Sequence, residues 1–146
     1  MVWSAKMVQE RPQSFVKLWD LSNRLVEISY PYVFYRQGTY YFMWSVDDTG
    51  SANYHVAYGT SDSPLGPIKV AKDPVVLIQD PSQEIYGTAH NSVVRKPGTD
   101  EWYIVYHRIN KNYLNPDKGP GVHREVCIDR MEFNADGTIQ RVKVSK

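Results

Sequence analysis

The chain of 146 residues holds a single cysteine, Cys127, so no internal disulfide can staple it. It has no excess of charge of one sign: 17 Lys and Arg stand against 16 Asp and Glu, well mixed, for a formal net charge of +1. That balance cannot build the basic stripe a phosphate backbone demands, so nucleic acid is not an expected partner. Long hydrophobic runs are missing too. The longest, such as Tyr40 to Trp44 and Pro74 to Ile78, are far too short to span a bilayer, and no membrane is expected. The opening residues, Met1-Val2-Trp3-Ser4-Ala5-Lys6, lack the continuous apolar segment of a secretory signal. Helical periodicity is weak throughout.

What the chain does have is hydrophobic residues at 42%, enough to pack a core and to exclude wholesale disorder. Tyrosine dominates the aromatics. A large ring with a polar tip suits half-buried strands and sugar-binding clefts alike, and sheet packing accounts for most of these rings.

Strand signals are dense. Tyr32-Val33-Phe34-Tyr35 and Thr39-Tyr40-Tyr41-Phe42-Met43-Trp44 flank Arg36-Gln37-Gly38, a hairpin with Gly38 in the turn. Asp47-Asp48-Thr49-Gly50-Ser51 is a loop by composition; its paired carboxylates invite a metal or catalytic reading, but the turn reading is preferred. Tyr54 to Tyr58 alternates as a third strand, and Ile68-Lys69-Val70 makes a short fourth. The pattern then repeats with Asn91 to Arg95, Trp102 to Tyr106, Arg124 to Ile128 and Ile139 to Val142, with a long polar loop from Ile109 to Gly121. Two four-stranded antiparallel units in tandem are what propeller blades look like in sequence. A single eight-stranded sandwich would fit the same strands without any repeat. Two blades cannot close a ring, so the propeller reading demands more chain, or another copy of this one, against the open faces.

Five segments resemble glycoside hydrolase family 43, in that family's order. Ser29 to Ser45, with Pro31 and the Tyr40-Tyr41 strand, is similar to the blade that carries the catalytic acid. Tyr54 to Pro67, around Tyr58-Gly59-Thr60-Ser61-Asp62-Ser63-Pro64, is similar to the segment that closes that blade. Gly87-Thr88-Ala89-His90-Asn91-Ser92-Val93-Val94 resembles the next strand. Trp102 to Arg108 and His123-Arg124-Glu125-Val126 resemble the final blade.

The resemblance implies an all-β chain forming part of a five-bladed β-propeller. Residues 1–28 would be the tail of a preceding blade, with Phe15 to Trp19 its outer strand. Residues 29–80 would be the acid-bearing blade and 81–146 the last one. It also implies an arabinofuranosidase- or xylosidase-type hydrolase acting on arabinose- or xylose-containing plant polysaccharide with inversion, outside the cell or in the periplasm. Inversion needs a general base and a general acid roughly 6.5–9.5 Å apart across the sugar. In the family the base and a pKa-tuning Asp come from earlier blades, for which there is no room before residue 29, so the general base is absent from this chain. The acid position is occupied by Ser29, whose hydroxyl cannot replace a carboxylic acid. Glu27, two residues upstream and on the same face of an extended strand, is the alternative carboxyl; an exposed strand-end Glu is the plainer reading.

By the same resemblance His90 would lie at the propeller axis and hold a hydrated calcium through water; a satisfied core histidine is the alternative. Arg124 would point into the substrate pocket, or else form an ion pair with Glu125 or Asp129. His107 and Arg108 would line the same cavity unless they are simply solvated at a strand end. Trp44, with Tyr86 and Tyr113, would be a stacking platform for a sugar ring unless it is packing. The partners implied are carbohydrate and the missing blades or another copy of the chain. The competing classes are a non-catalytic carbohydrate-binding module and an interaction β-domain with no sugar site.

Overall fold

The computed structural model describes strands β1 (Val2–Ala5) and β2 (Phe15–Trp19), residues 25–113 and residues 123–145; up to residue 30 this is the backbone and its pairing. The remaining strands are β3 (Leu25–Arg36), β4 (Thr39–Val46), β5 (His55–Ser61), β6 (Ile68–Leu77), β7 (Ala89–Arg95), β8 (Trp102–Ile109) and β9 (Arg124–Met131). Helix among the described residues is limited to two 3-10 turns, Pro81–Gln83 and Lys111–Tyr113. β1 to β6 pair antiparallel in chain order, and β1 also pairs with β6 through Val2–Lys69 and Trp3–Ile68, so the pairing closes on itself. β7, β8 and β9 form a separate three-stranded antiparallel sheet.

Local sequence explains the corners. Gln37 (φ 47°) and Gly38 (φ 88°) both sit in the left-handed region that a two-residue hairpin requires, and Arg36 pairs with Thr39 across them. β3 carries a proline in mid-strand. The ladder with β4 shifts register between Ser29 and Tyr32, so Pro31, which has no N–H to give, falls in the irregularity. The short fourth strand expected at Ile68 to Val70 runs on to Leu77. The strand expected at Ile139 to Val142 is reduced to an isolated bridge, Phe133–Ile139. The cause is competition for its backbone: the Ile139 N–H donates to the Tyr58 hydroxyl (3.1 Å) and the Val142 N–H to the Val76 carbonyl (2.8 Å), both in the other sheet.

The core lies between the two sheets. Phe34, Tyr41, Met43, Val56 and Tyr58 from the first meet Val93, Trp102, Ile104 and Tyr106 from the second, all buried. Tyrosine tips complete the joint. The Tyr32 hydroxyl donates to the Val93 carbonyl (2.8 Å), and that of Tyr41 to the Gly137 carbonyl (2.7 Å). Arg36 makes a two-pronged ion pair with Asp100 (3.1 and 2.6 Å) at the rim. Strand alternation thus gives each sheet one apolar face turned to the other.

Candidate active site

The register of β3 sets Ser29 opposite Ser45 of β4. The Ser45 side chain, buried at the sheet joint, accepts the His90 backbone N–H at 3.0 Å. His90 sits where β7 loses register with β8, between Ala89 and Ser92, and takes φ 55°. A non-glycine residue there is strained and persists only where its surroundings impose it. The His90 ring is exposed and lies 5.3 Å from that of His107, which pairs with Ala89 across the ladder. The His107 ring in turn stacks on Tyr54 (6.1 Å, 30°). Arg124, at the start of β9, holds its guanidinium carbon 5.9 Å from the Tyr54 ring centre and donates to the Gly87 carbonyl at 2.9 Å. His90, His107 and Arg124 therefore meet at one end of the sheet joint, and the backbone of Ser29 is one strand away.

Electrostatics in this cluster follow from burial. Burial, then the Arg124 guanidinium and then His90, pulls His107 down from its ordinary 6.5 to about 4, so its imidazole stays neutral at neutral pH. Burial also lowers Arg124, while Tyr54 and the Asp48 carboxylate act the other way; its guanidinium remains charged. Among the described residues, Tyr54 Oη, Thr88 Oγ1, Asn91 Oδ1 and His107 Nδ1 are buried with no hydrogen-bond partner. Buried polar atoms are nearly always paired, so these unpaired ones mark the joint as a place where polar chemistry is left unsatisfied.

The His107 shift has a measurable consequence. The unfolded chain takes up a proton near 6.5 and the folded one only near 4, so stability is full above the first value and is lost as pH falls toward the second. Urea titrations at pH 7.5 and 4.5 should show wild type losing more stability on acidification than His107→Gln. Equal losses would mean that His107 protonates freely in the fold.

Residues 4–139 match the sequence profile of Glycosyl hydrolases family 43. The chain belongs to that family. It is 36% identical over 146 residues to Beta-D-galactofuranosidase xynD of Aspergillus niger, covering 98% of this chain and 41% of that relative. Among solved structures, a thermostable family-43 glycoside hydrolase matches with a TM-score of 0.69 and 27% identity, over 90% of this chain and 47% of its own. An α-L-arabinanase of Cellvibrio cellulosa, complexed with arabinohexaose, matches in fold with a TM-score of 0.64 and 18% identity, over 82% and 37%. The chain thus spans less than half the length of these relatives, and its all-β fold is part of the family's propeller.

Not every residue singled out in this family 43 chain reaches the cluster. Trp44 does not: β4 turns Met43 and Ser45 to the second sheet, so Trp44 faces the other way and is buried with Ala57 and Ile68. It is packing, closed to a sugar ring. Arg108, adjacent to His107, takes the other side of β8, the side of Ile104 and Tyr106, where Glu125 (2.5 Å) and the Ser145 carbonyl engage it. Glu125 is thus spent on Arg108, and Asp129 on the Tyr106 hydroxyl (2.7 Å). Tyr86 is half-buried and lends its carbonyl to the Ile109 N–H (2.9 Å). Asp47 and Asp48 make a turn, accepting from Asp48 N–H, Ser51 Oγ and Gly50 N–H. The side chains of Glu27, Ser29 and Tyr113 lie outside the described residues. Ser45 and Tyr54 were not foreseen as site residues. Ser45 is the first polar residue after the apolar run of β4, which was a usable signal; nothing local marked Tyr54.

Proposed function

We propose that this chain contributes the acid-bearing and final blades of an inverting glycosidase that removes arabinose, xylose or a related sugar from polysaccharide. The observation that carries the reading is the convergence of His90, His107 and Arg124 beside the backbone of Ser29. A half-buried, charged guanidinium beside a neutral imidazole is well suited to sugar hydroxyls, which both donate and accept. The Aspergillus relative is named for β-D-galactofuranose, a five-membered ring like that of arabinofuranose, so furanosides are the first substrates to try. The water-activating carboxylate would come from blades beyond this chain. Those blades, as partners, would cover the outer face of β7–β9, where Val94, Val126 and Ile128 are exposed.

Calcium at His90 fits only as a hydrated ion. The described residues contain no group of three or more His, Cys, Asp or Glu able to hold a metal, whereas Thr88 Oγ1 and Asn91 Oδ1, close to His90 in the chain, are unpaired neutral oxygens. When bound, such an ion would supply positive charge near the sugar.

Calorimetric titration with arabino-, xylo- and galactofuranosyl oligosaccharides tests the reading. Furanosides should bind, and Arg124→Ala should weaken them about 10- to 100-fold, the range of a hydrogen bond to a charged group. Titration with calcium in place of sugar tests the ion. No binding of any sugar, or robust turnover of an aryl furanoside by the 146-residue chain alone, would contradict the proposal. Ser29 at the acid position favours a second reading, a non-catalytic carbohydrate-binding module, in which sugars bind but restoring a carboxyl brings no hydrolysis.

A further inference from the structure

Tyr54 belongs to the first sheet by sequence, just past the Asp47 to Ser51 turn and directly before β5; its N–H donates to the Ser51 carbonyl at 3.2 Å. Its ring contacts belong to the second sheet. The side chain is fully buried (0% exposed), with the Arg124 guanidinium carbon 5.9 Å from the ring centre and the His107 imidazole at 6.1 Å. Arg124 is also held from Gly87, whose carbonyl accepts Nη1 at 2.9 Å. Gly87 adopts φ 60°, and a Cβ there would stand 2.9 Å from the same nitrogen. One wall of the guanidinium is therefore backbone and another is an aromatic ring, contributed by a different sheet. The Tyr54 hydroxyl has no hydrogen-bond partner among the described residues, so the ring is the part of Tyr54 that its neighbours engage.

We propose that Tyr54 is a positioning residue, its ring setting, together with the Gly87 carbonyl, the direction in which Arg124 points. The inference rests on Arg124 being the sugar contact. A ring face attracts a cation through its quadrupole, and it also removes rotamers that a long side chain would otherwise lose only when the sugar binds. Holding the guanidinium in place beforehand lowers the entropic penalty of binding.

Nuclear magnetic resonance on the labelled 146-residue chain, with calorimetry on an arabino-oligosaccharide, tests this. In wild type, Arg124 side-chain protons should show nuclear Overhauser contacts to the Tyr54 ring and upfield ring-current shifts. Tyr54→Phe should keep both and change affinity less than about 2-fold, because the ring remains. Tyr54→Leu should move the Arg124 Nε–H resonance and weaken the sugar about 3- to 30-fold, the span of a cation–ring interaction. Absence of the wild-type contacts overturns the proposal, as does a folded Tyr54→Leu with unchanged Arg124 signal and affinity. If Tyr54→Leu does not fold, wild type against Tyr54→Phe decides: equal signals and affinities support the ring, and a loss in Tyr54→Phe overturns it in favour of the hydroxyl. Should Arg124→Ala leave sugar affinity intact, the sugar-contact reading falls instead, and the resonances still report on the positioning.

Discussion

Ser29→Glu should raise hydrolysis of an aryl arabinofuranoside by about 10²- to 10⁴-fold, the usual contribution of a general acid. The measurement needs the water-activating side of the site, so it is made in a chimera that joins the upstream part of the Aspergillus relative to this chain; 36% identity across the shared stretch makes the junction workable. The physical basis is the position of residue 29. Its backbone stands opposite Ser45, whose hydroxyl holds the His90 N–H, and the His90 and His107 rings lie immediately beyond. A serine hydroxyl ionises far too weakly to protonate a departing sugar oxygen, whereas a carboxylic acid held near neutral pH can do so. Glu27→Gln is the companion variant. Glu27 pairs with Lys17 in the same unbroken ladder that pairs Ser29 with Phe15, two residues along the strand. If Glu27 already supplies the proton, Glu27→Gln abolishes the residual rate and Ser29→Glu adds little. If neither variant alters the rate while sugars still bind, the catalytic reading is lost and the binding module stands.

Trp102→Ala should lower the free energy of unfolding by about 3–5 kcal/mol, the penalty for truncating a large buried aromatic. Trp102 is 6% exposed at the start of β8, 5.1 Å from the Phe34 ring and edge-on to Phe133 at 6.1 Å. Its indole N–H donates to Asp100 at 2.7 Å, and Asp100 receives the guanidinium of Arg36 from the first sheet. One side chain therefore closes both the apolar joint between the sheets and the ion pair at its rim. The predicted loss is a third or more of the stability of many domains. Denaturant titration measures it, with Trp102→Phe expected to lose much less because a ring still fills the joint. A change below about 1 kcal/mol for Trp102→Ala would mean that the sheets do not depend on this contact.

Much of the architecture could be read before any coordinates. The Gln37-Gly38 hairpin, the Asp47 to Ser51 turn and seven of the strands carry their own signals, because turns need particular backbone angles and strands alternate with period two. The ordered family motifs pointed to the propeller and to His90, His107 and Arg124. Less legible was the fate of neighbouring pairs. Trp44 and Ser45, or His107 and Arg108, cannot both face one site, since adjacent strand residues point apart. In β4 both faces are apolar, Phe42, Trp44 and Val46 on one and Tyr41 and Met43 on the other, so hydrophobicity could not tell which looked toward the cluster. Tyr54 escaped notice because its partner, Arg124, lies in the other sheet, across a distance in the chain that no local pattern encodes.

By itself, then, the amino-acid order determined an all-β family 43 chain and pointed to a polar set at His90, His107 and Arg124. Those features depend on residue type and local backbone preference. The tertiary structure alone decided that Trp44 and Arg108 lie away from the site and that Tyr54 and Gly87 flank Arg124. The reason is that sidedness depends on which surface covers a strand, and that is set only when the two sheets pack against each other.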